Sequence, residues 1–143
     1  MSLEKVIYTA HVTATGGREG IVKSDDGKLE VKLDPPEVMG GCGQGTNPEQ
    51  LFAAGYAACF IGALKVVANS QKIQVPNEIS IDSRVNFGLL AGGIKGFGIG
   101  VEMVVHIPGM DREQAERMVH QAHEVCPYSR ATRNNIEVRL SVA

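Results

Sequence analysis

The feature that most constrains this chain is a stretch without charge. From Gln50 to Leu64, 15 consecutive residues include no Asp, Glu, Lys, Arg or His, and Lys65 ends the run. Its approach has the chemistry of a helix start. Asn47 is placed to cap the first turn, Pro48 suits the first helical position, and Gln50 stands where a capping-box partner reaches back. The pattern predicts a helix from Pro48 to about Gln71. A helix that is apolar all round belongs inside something. The uncharged run is shorter than the roughly 20 residues a bilayer requires and is bounded by charges, so a central core helix is expected and no membrane span.

The flanking segments say what surrounds that helix. Val6 to Thr13 mixes β-branched and aromatic residues and reads as a strand, followed by a glycine turn at Gly16–Gly20. Ile21-Val22-Lys23 resumes strand character, Ser24–Gly27 turns, and Leu29, Val31 and Leu33 alternate with Glu30 and Lys32. A three-stranded meander is predicted, broken by Asp34-Pro35-Pro36. The glycine-rich loop Met39–Gly45 lacks the Gly-Lys-Ser/Thr ending of a phosphate cradle and leads into Pro48-Glu49, a poor anion site. After the helix, Ile79, Ile81, Val85 and Phe87 share one strand face, broken only by Ser83. Phe97, Ile99, Val101, Met103, Val105 and Ile107 then alternate without fault, which predicts a hairpin. Asp111 caps a second helix with Gln114 at its capping-box position and the stripe Ala115, Met118, Val119, Ala122; Pro127 ends it. Ile136, Val138, Leu140 and Val142 form a last strand. The order βββ-α-ββ-α-β is α+β with mostly antiparallel sheet, in a single domain over residues 1–143. A net charge of −2 without a basic block argues against nucleic acid as a partner. Met1 to Ala10 has no apolar signal core, so a cytoplasmic location is expected.

The three cysteines, Cys42, Cys59 and Cys126, form no Cys-x-x-Cys pair, which excludes a zinc ribbon. Cys59 lies mid-helix, with Phe52, Gly55, Tyr56, Gly62, Ala63 and Val66 within about 60° of it at helical spacing. As a buried thiol it has an ordinary reading as an inert core residue. Reactivity would require a cation brought from elsewhere. Arg18, in the glycine turn, is a candidate, although its spacing alone fits a solvated hairpin arginine equally. Cys126 falls about 20° from the centre of the second helix's apolar stripe and so also faces inward. His120, His123 and Cys126 are spaced three apart, but His120 points about 120° away from Cys126, so no metal site is expected.

Four runs carry more than their chemistry: Gly17-Arg18-Glu19-Gly20, Thr46-Asn47-Pro48-Glu49-Gln50-Leu51-Phe52, Ala54-Gly55-Tyr56-Ala57-Ala58-Cys59-Phe60 and Val125-Cys126-Pro127-Tyr128-Ser129. In content and order the chain resembles the organic hydroperoxide resistance (Ohr) branch of the OsmC/Ohr family. Cys42 departs from that pattern, in a loop where small residues are expected. The resemblance implies a thiol-dependent peroxidase that reduces organic hydroperoxides without a cofactor. It makes Cys59 the peroxidatic cysteine and Cys126 the resolving one, joined in a disulfide during turnover. Arg18 would lie over the Cys59 sulfur and Glu49 would orient its guanidinium. It further implies an intertwined homodimer with the central helices packed between two sheets, and regeneration by a dithiol such as the dihydrolipoyl group of a lipoylated protein. Phe52, Tyr56, Ala63 and Val66, on the Cys59 face of the helix, are expected to offer a dry surface to an alkyl or aryl tail. The rival reading is a redox-sensing or ligand-binding module that uses the same disulfide without turnover.

Overall fold

The computed structural model describes residues 1–143. The chain forms two compact units, Met1–Pro48 and Glu49–Ala143.

In the first unit, strands β1 (Val12–Thr15), β2 (Ile21–Ser24) and β3 (Glu30–Lys32) make an antiparallel sheet in that order, with Ala14 opposite Val22 and Val22 opposite Val31. The meander is therefore present, but its first strand starts six residues later than the composition of Val6–Thr13 predicts. A strand needs a ladder partner as well as suitable side chains, and β2 reaches β1 no earlier than Val12, which faces Ser24. Val6, Ile7 and Tyr8 are left without strand structure and exposed. Between β1 and β2 the turn is a short 3-10 segment, Gly17–Glu19, entered through Gly16 in the left-handed region at φ 73°. It carries Arg18. Gly20 closes it, where a Cβ would lie 1.5 Å from the Thr15 carbonyl oxygen, so no other residue fits.

The second unit is built on the predicted helix, α1 (Pro48–Ser70). Next come β4 (Ser80–Leu89), β5 (Phe97–His106), α2 (Arg112–Val125), α3 (Pro127–Thr132) and β6 (Val138–Val142). β5 is central in the sheet, antiparallel to β4 and parallel to β6. Tyr56, Phe60, Ala63, Leu64 and Ala68 of α1, Val101, Met103 and Val105 of β5, and Ala115, Met118, Val119 and Ala122 of α2 form one buried cluster with Cys126. Ser83, the polar residue on the inward face of β4, keeps a buried hydroxyl with no hydrogen-bond partner.

Two details depart from the sequence reading. Pro127 ends α2 as expected, yet it also begins α3. Cys126 takes the extended backbone that a following proline favours (φ −61°, ψ 124°), and proline then serves as the first residue of a new turn. The helix α1 is apolar all round but not buried all round: Ala54, Ala58, Gly62 and Val66 are exposed, Val66 at 63%. α1 spans 23 residues and its most apolar 18-residue stretch has a mean hydropathy of 1.9, so it is long and apolar enough to cross a membrane by length and composition. Its opposite face, however, forms the core just described.

Candidate active site

Cys59 sits in the middle of α1, half-buried, and Cys126 at the α2–α3 junction, fully buried. Although 67 positions apart, their sulfurs lie 3.7 Å from each other, with both thiols free. The inward facing of both cysteines that helical spacing predicts is thus realised as a contact. The junction that carries Cys126 is held on both sides. Its N–H donates to the Ala122 carbonyl at 2.8 Å, and its own carbonyl accepts from Arg130 N–H at 3.0 Å.

Burial pushes the Cys59 thiol above its ordinary value. The backbone N–H of Tyr128 pulls the other way by donating to the sulfur, and the neighbouring Cys126 adds to the rise through its hydrogen bond and its charge when ionised. Tyr128 is the site residue that sequence reasoning left without a role. The available signal was its place two residues beyond Cys126, just after the proline that restarts the helix. Its ring closes one side of the site: Phe52, Tyr56 and Tyr128 form an aromatic triangle with centroids 5.6–6.1 Å apart. Gly55 makes room for it, since a Cβ there would come within 3.0 Å of the Tyr128 hydroxyl.

The residues expected to line a pocket do not share one environment. Tyr56 and Ala63 are inside the core, Phe52 is partly buried against it, and Val66 is exposed. Tyr56 is instead anchored by its hydroxyl, 3.0 Å from Ser129 Oγ and 3.1 Å from Thr132 Oγ1. His120 is exposed, while His123 is half-buried, with Nδ1 2.9 Å from Ser129 Oγ. Burial, then the positive charge of Arg133, hold the His123 imidazole below its ordinary value, against a smaller pull from Glu124. Of the other predicted residues, Arg18 is half-buried in the turn of the first unit, and Glu49 half-buried in the first turn of α1. Cys42 is exposed, its N–H 3.4 Å from an Asp34 carboxylate oxygen that accepts it.

Residues 40–141 match the family of OsmC-like proteins. The chain belongs to the OsmC-like family. Its likeness within that family is to the Ohr branch. It is 58% identical to the organic hydroperoxide resistance protein of Xanthomonas axonopodis pv. citri over 143 residues, 99% of each chain. The crystal structure of an organic hydroperoxide resistance protein from Legionella pneumophila superposes with a TM-score of 0.89 at 50% identity, covering 97% of this chain and 99% of that one. Bacillus subtilis OhrB gives 0.87 at 47% identity, covering 96% and 100%. The α+β architecture with two three-stranded sheets is therefore the family's, and the paired cysteines sit in an Ohr framework.

Proposed function

We propose that this protein is a thiol-dependent peroxidase of the cytoplasm that reduces organic hydroperoxides to alcohols. The observation that carries the reading is the 3.7 Å approach of two free thiols, Cys59 in α1 and Cys126 at the α2–α3 junction. The Cys59 thiolate attacks the outer oxygen of ROOH and becomes a sulfenic acid, while the O–O bond breaks and the alkoxide leaves as ROH after taking a proton. Cys126 then condenses with the sulfenic acid, giving the disulfide and water. A dithiol, in our reading the dihydrolipoyl group of a lipoylated protein, returns both thiols.

Burial alone works against the first step, because a raised thiol holds little thiolate at neutral pH. The Tyr128 N–H is one donor aimed at the sulfur. We assign the missing positive charge to Arg18, oriented by Glu49, since a planar guanidinium is best held by a carboxylate and also stabilises the leaving alkoxide. No metal or cofactor takes part in this scheme. The relatives named for organic hydroperoxide resistance support the substrate class.

The chain acts, in our reading, as a homodimer. The support for this is the stripe Ala54–Ala58–Gly62–Val66, exposed along one face of α1, together with the exposed Leu89, Ile94 and Phe97 on the β4–β5 hairpin; exposed apolar stripes of this kind mark interaction surfaces.

The deciding experiment is steady-state peroxide consumption driven by dihydrolipoamide, with cumene hydroperoxide and with hydrogen peroxide. Burying about 100–150 Å2 of an apolar tail, at roughly 25 cal/mol per Å2, favours the organic substrate by about 2.5–4 kcal/mol. At least a hundredfold preference is expected. Equal rate constants for the two would refute an apolar substrate site beside Cys59. A redox sensor is the second reading, favoured by the raised Cys59 thiol; it would consume one equivalent of peroxide and stop.

A further inference from the structure

Four polar side chains in the second unit, His123, Ser129, Tyr56 and Thr132, are joined in a chain through the buried hydroxyls of Ser129 and Tyr56. Ser129, fully buried in α3, has Tyr56 Oη of α1 at 3.0 Å and His123 Nδ1 of α2 at 2.9 Å. Thr132, one turn on, also meets Tyr56 at 3.1 Å and donates its own proton to the Tyr128 carbonyl at 3.0 Å. The three helices that meet around the cysteines are thus tied at one point.

The register of this knot matters. Tyr56 precedes Cys59 by three residues and Ser129 follows Cys126 by three, so the Tyr56–Ser129 bond and the Cys59–Cys126 contact lie one helical turn apart, on the same faces of α1 and α3. On the other side, the His123–Ser129 bond bridges the last turn of α2 to α3 across Cys126 itself. Arg130 Nε donates to the Glu124 carbonyl at 3.3 Å, and an Arg133 N–H donates to the His123 carbonyl, closing the same bend. Buried hydroxyls are costly to leave unpaired, so this geometry is maintained as a unit.

We propose that Ser129 and His123 are positioning residues for disulfide closure: they hold the α2–α3 bend, through Tyr56, at the setting where Cys126 Sγ reaches Cys59 Sγ. This rests on the peroxidase reading for its role in turnover, but the positioning itself is a property of the two thiols. In the step concerned, the S–O bond of the Cys59 sulfenic acid breaks and an S–S bond forms. The hydroxyl leaves with the Cys126 proton as water, the two oxidising equivalents having come from the peroxide. The sulfurs must close from 3.7 Å to about 2.05 Å, and a misplacement of about 1 Å in such a step costs on the order of 10²-fold.

Ser129→Ala and His123→Ala are compared with the unaltered protein in two measurements. Stopped flow with cumene hydroperoxide separates oxidation of Cys59 from closure of the disulfide. Equilibration with dithiothreitol gives the effective concentration of Cys126 toward Cys59 without any peroxide. The inference expects oxidation within about twofold of wild type, closure at least tenfold slower, and an effective concentration lowered by a similar factor. His123→Ala, at a half-exposed position, serves where Ser129→Ala fails to fold. Closure and effective concentration at wild-type levels in the folded variants would overturn it, and so would equal slowing of both steps, the mark of a general loss of structure. If the unaltered protein formed no disulfide with peroxide, the peroxidase reading would fall, while the dithiothreitol equilibrium would still decide the positioning.

Discussion

At the scale of the residue, Cys59 stands between opposing influences. Desolvation raises its thiol and the Tyr128 N–H lowers it, with the net effect upward. A raised value means that the thiolate fraction, and with it the alkylation rate, climbs as pH rises through the thiol range. The same sign applies to stability: the folded state prefers the neutral thiol, so its contribution is present below the ordinary thiol range and is lost as pH rises through the raised value. If Arg18 supplies the compensating charge, Arg18→Ala moves the alkylation profile to higher pH and slows the peroxide step on the order of 10²-fold. Glu49→Ala should do the same more mildly. Because Glu49 works through Arg18, the double variant should be little worse than Arg18→Ala; additive losses would separate the two roles. Cys126→Ser tests the partner sulfur. One equivalent of peroxide should add one oxygen to the intact mass, and a loss of two hydrogens instead would name Cys42 as the resolving thiol.

At the scale of the element, local signals and tertiary pairing divide the work. Asp111 was readable as a cap because its chemistry is local, and its carboxylate accepts the Gln114 N–H at 3.1 Å. Asp111→Ala should lower unfolding stability by about 1 kcal/mol, seen as a shift in denaturant midpoint at unchanged slope, with peroxide turnover retained. No shift would mean that α2 is held by its packing alone. The start of β1 was not readable, because Val6–Thr13 has strand composition throughout and only the reach of β2 selects Val12. The fresh start of α3 at Pro127 was missed for a related reason. By local rules proline is a helix stop, whereas one extended residue before it lets the chain resume a helix in a new direction.

At the scale of the whole molecule, the exposed side of α1 is the feature that an isolated chain leaves unexplained. A Cβ at Gly62 meets nothing within 4 Å, so Gly62→Glu is sterically free in one chain and improves helix propensity. If a second copy covers this face, a carboxylate there is buried against apolar surface. Equilibrium sedimentation should then show the variant at the single-chain mass of 15.3 kDa while the wild type sediments at twice that. Identical masses for the two would remove α1 from the interface.

The sequence by itself determined the uncharged central helix, the N-terminal meander, the β4–β5 hairpin, the cap of α2 and the inward facing of Cys59 and Cys126. Each of these is set by periodicity or by chemistry within a few residues. The Ohr-like runs added roles that no spacing could supply. Only the tertiary structure brought the two sulfurs to 3.7 Å, aimed the Tyr128 N–H at one of them, and turned Tyr56 from an expected pocket wall into an anchor for Ser129. Those contacts join residues about 70 positions apart, and their distances follow from how α1, α2 and α3 pack together, which no local pattern encodes.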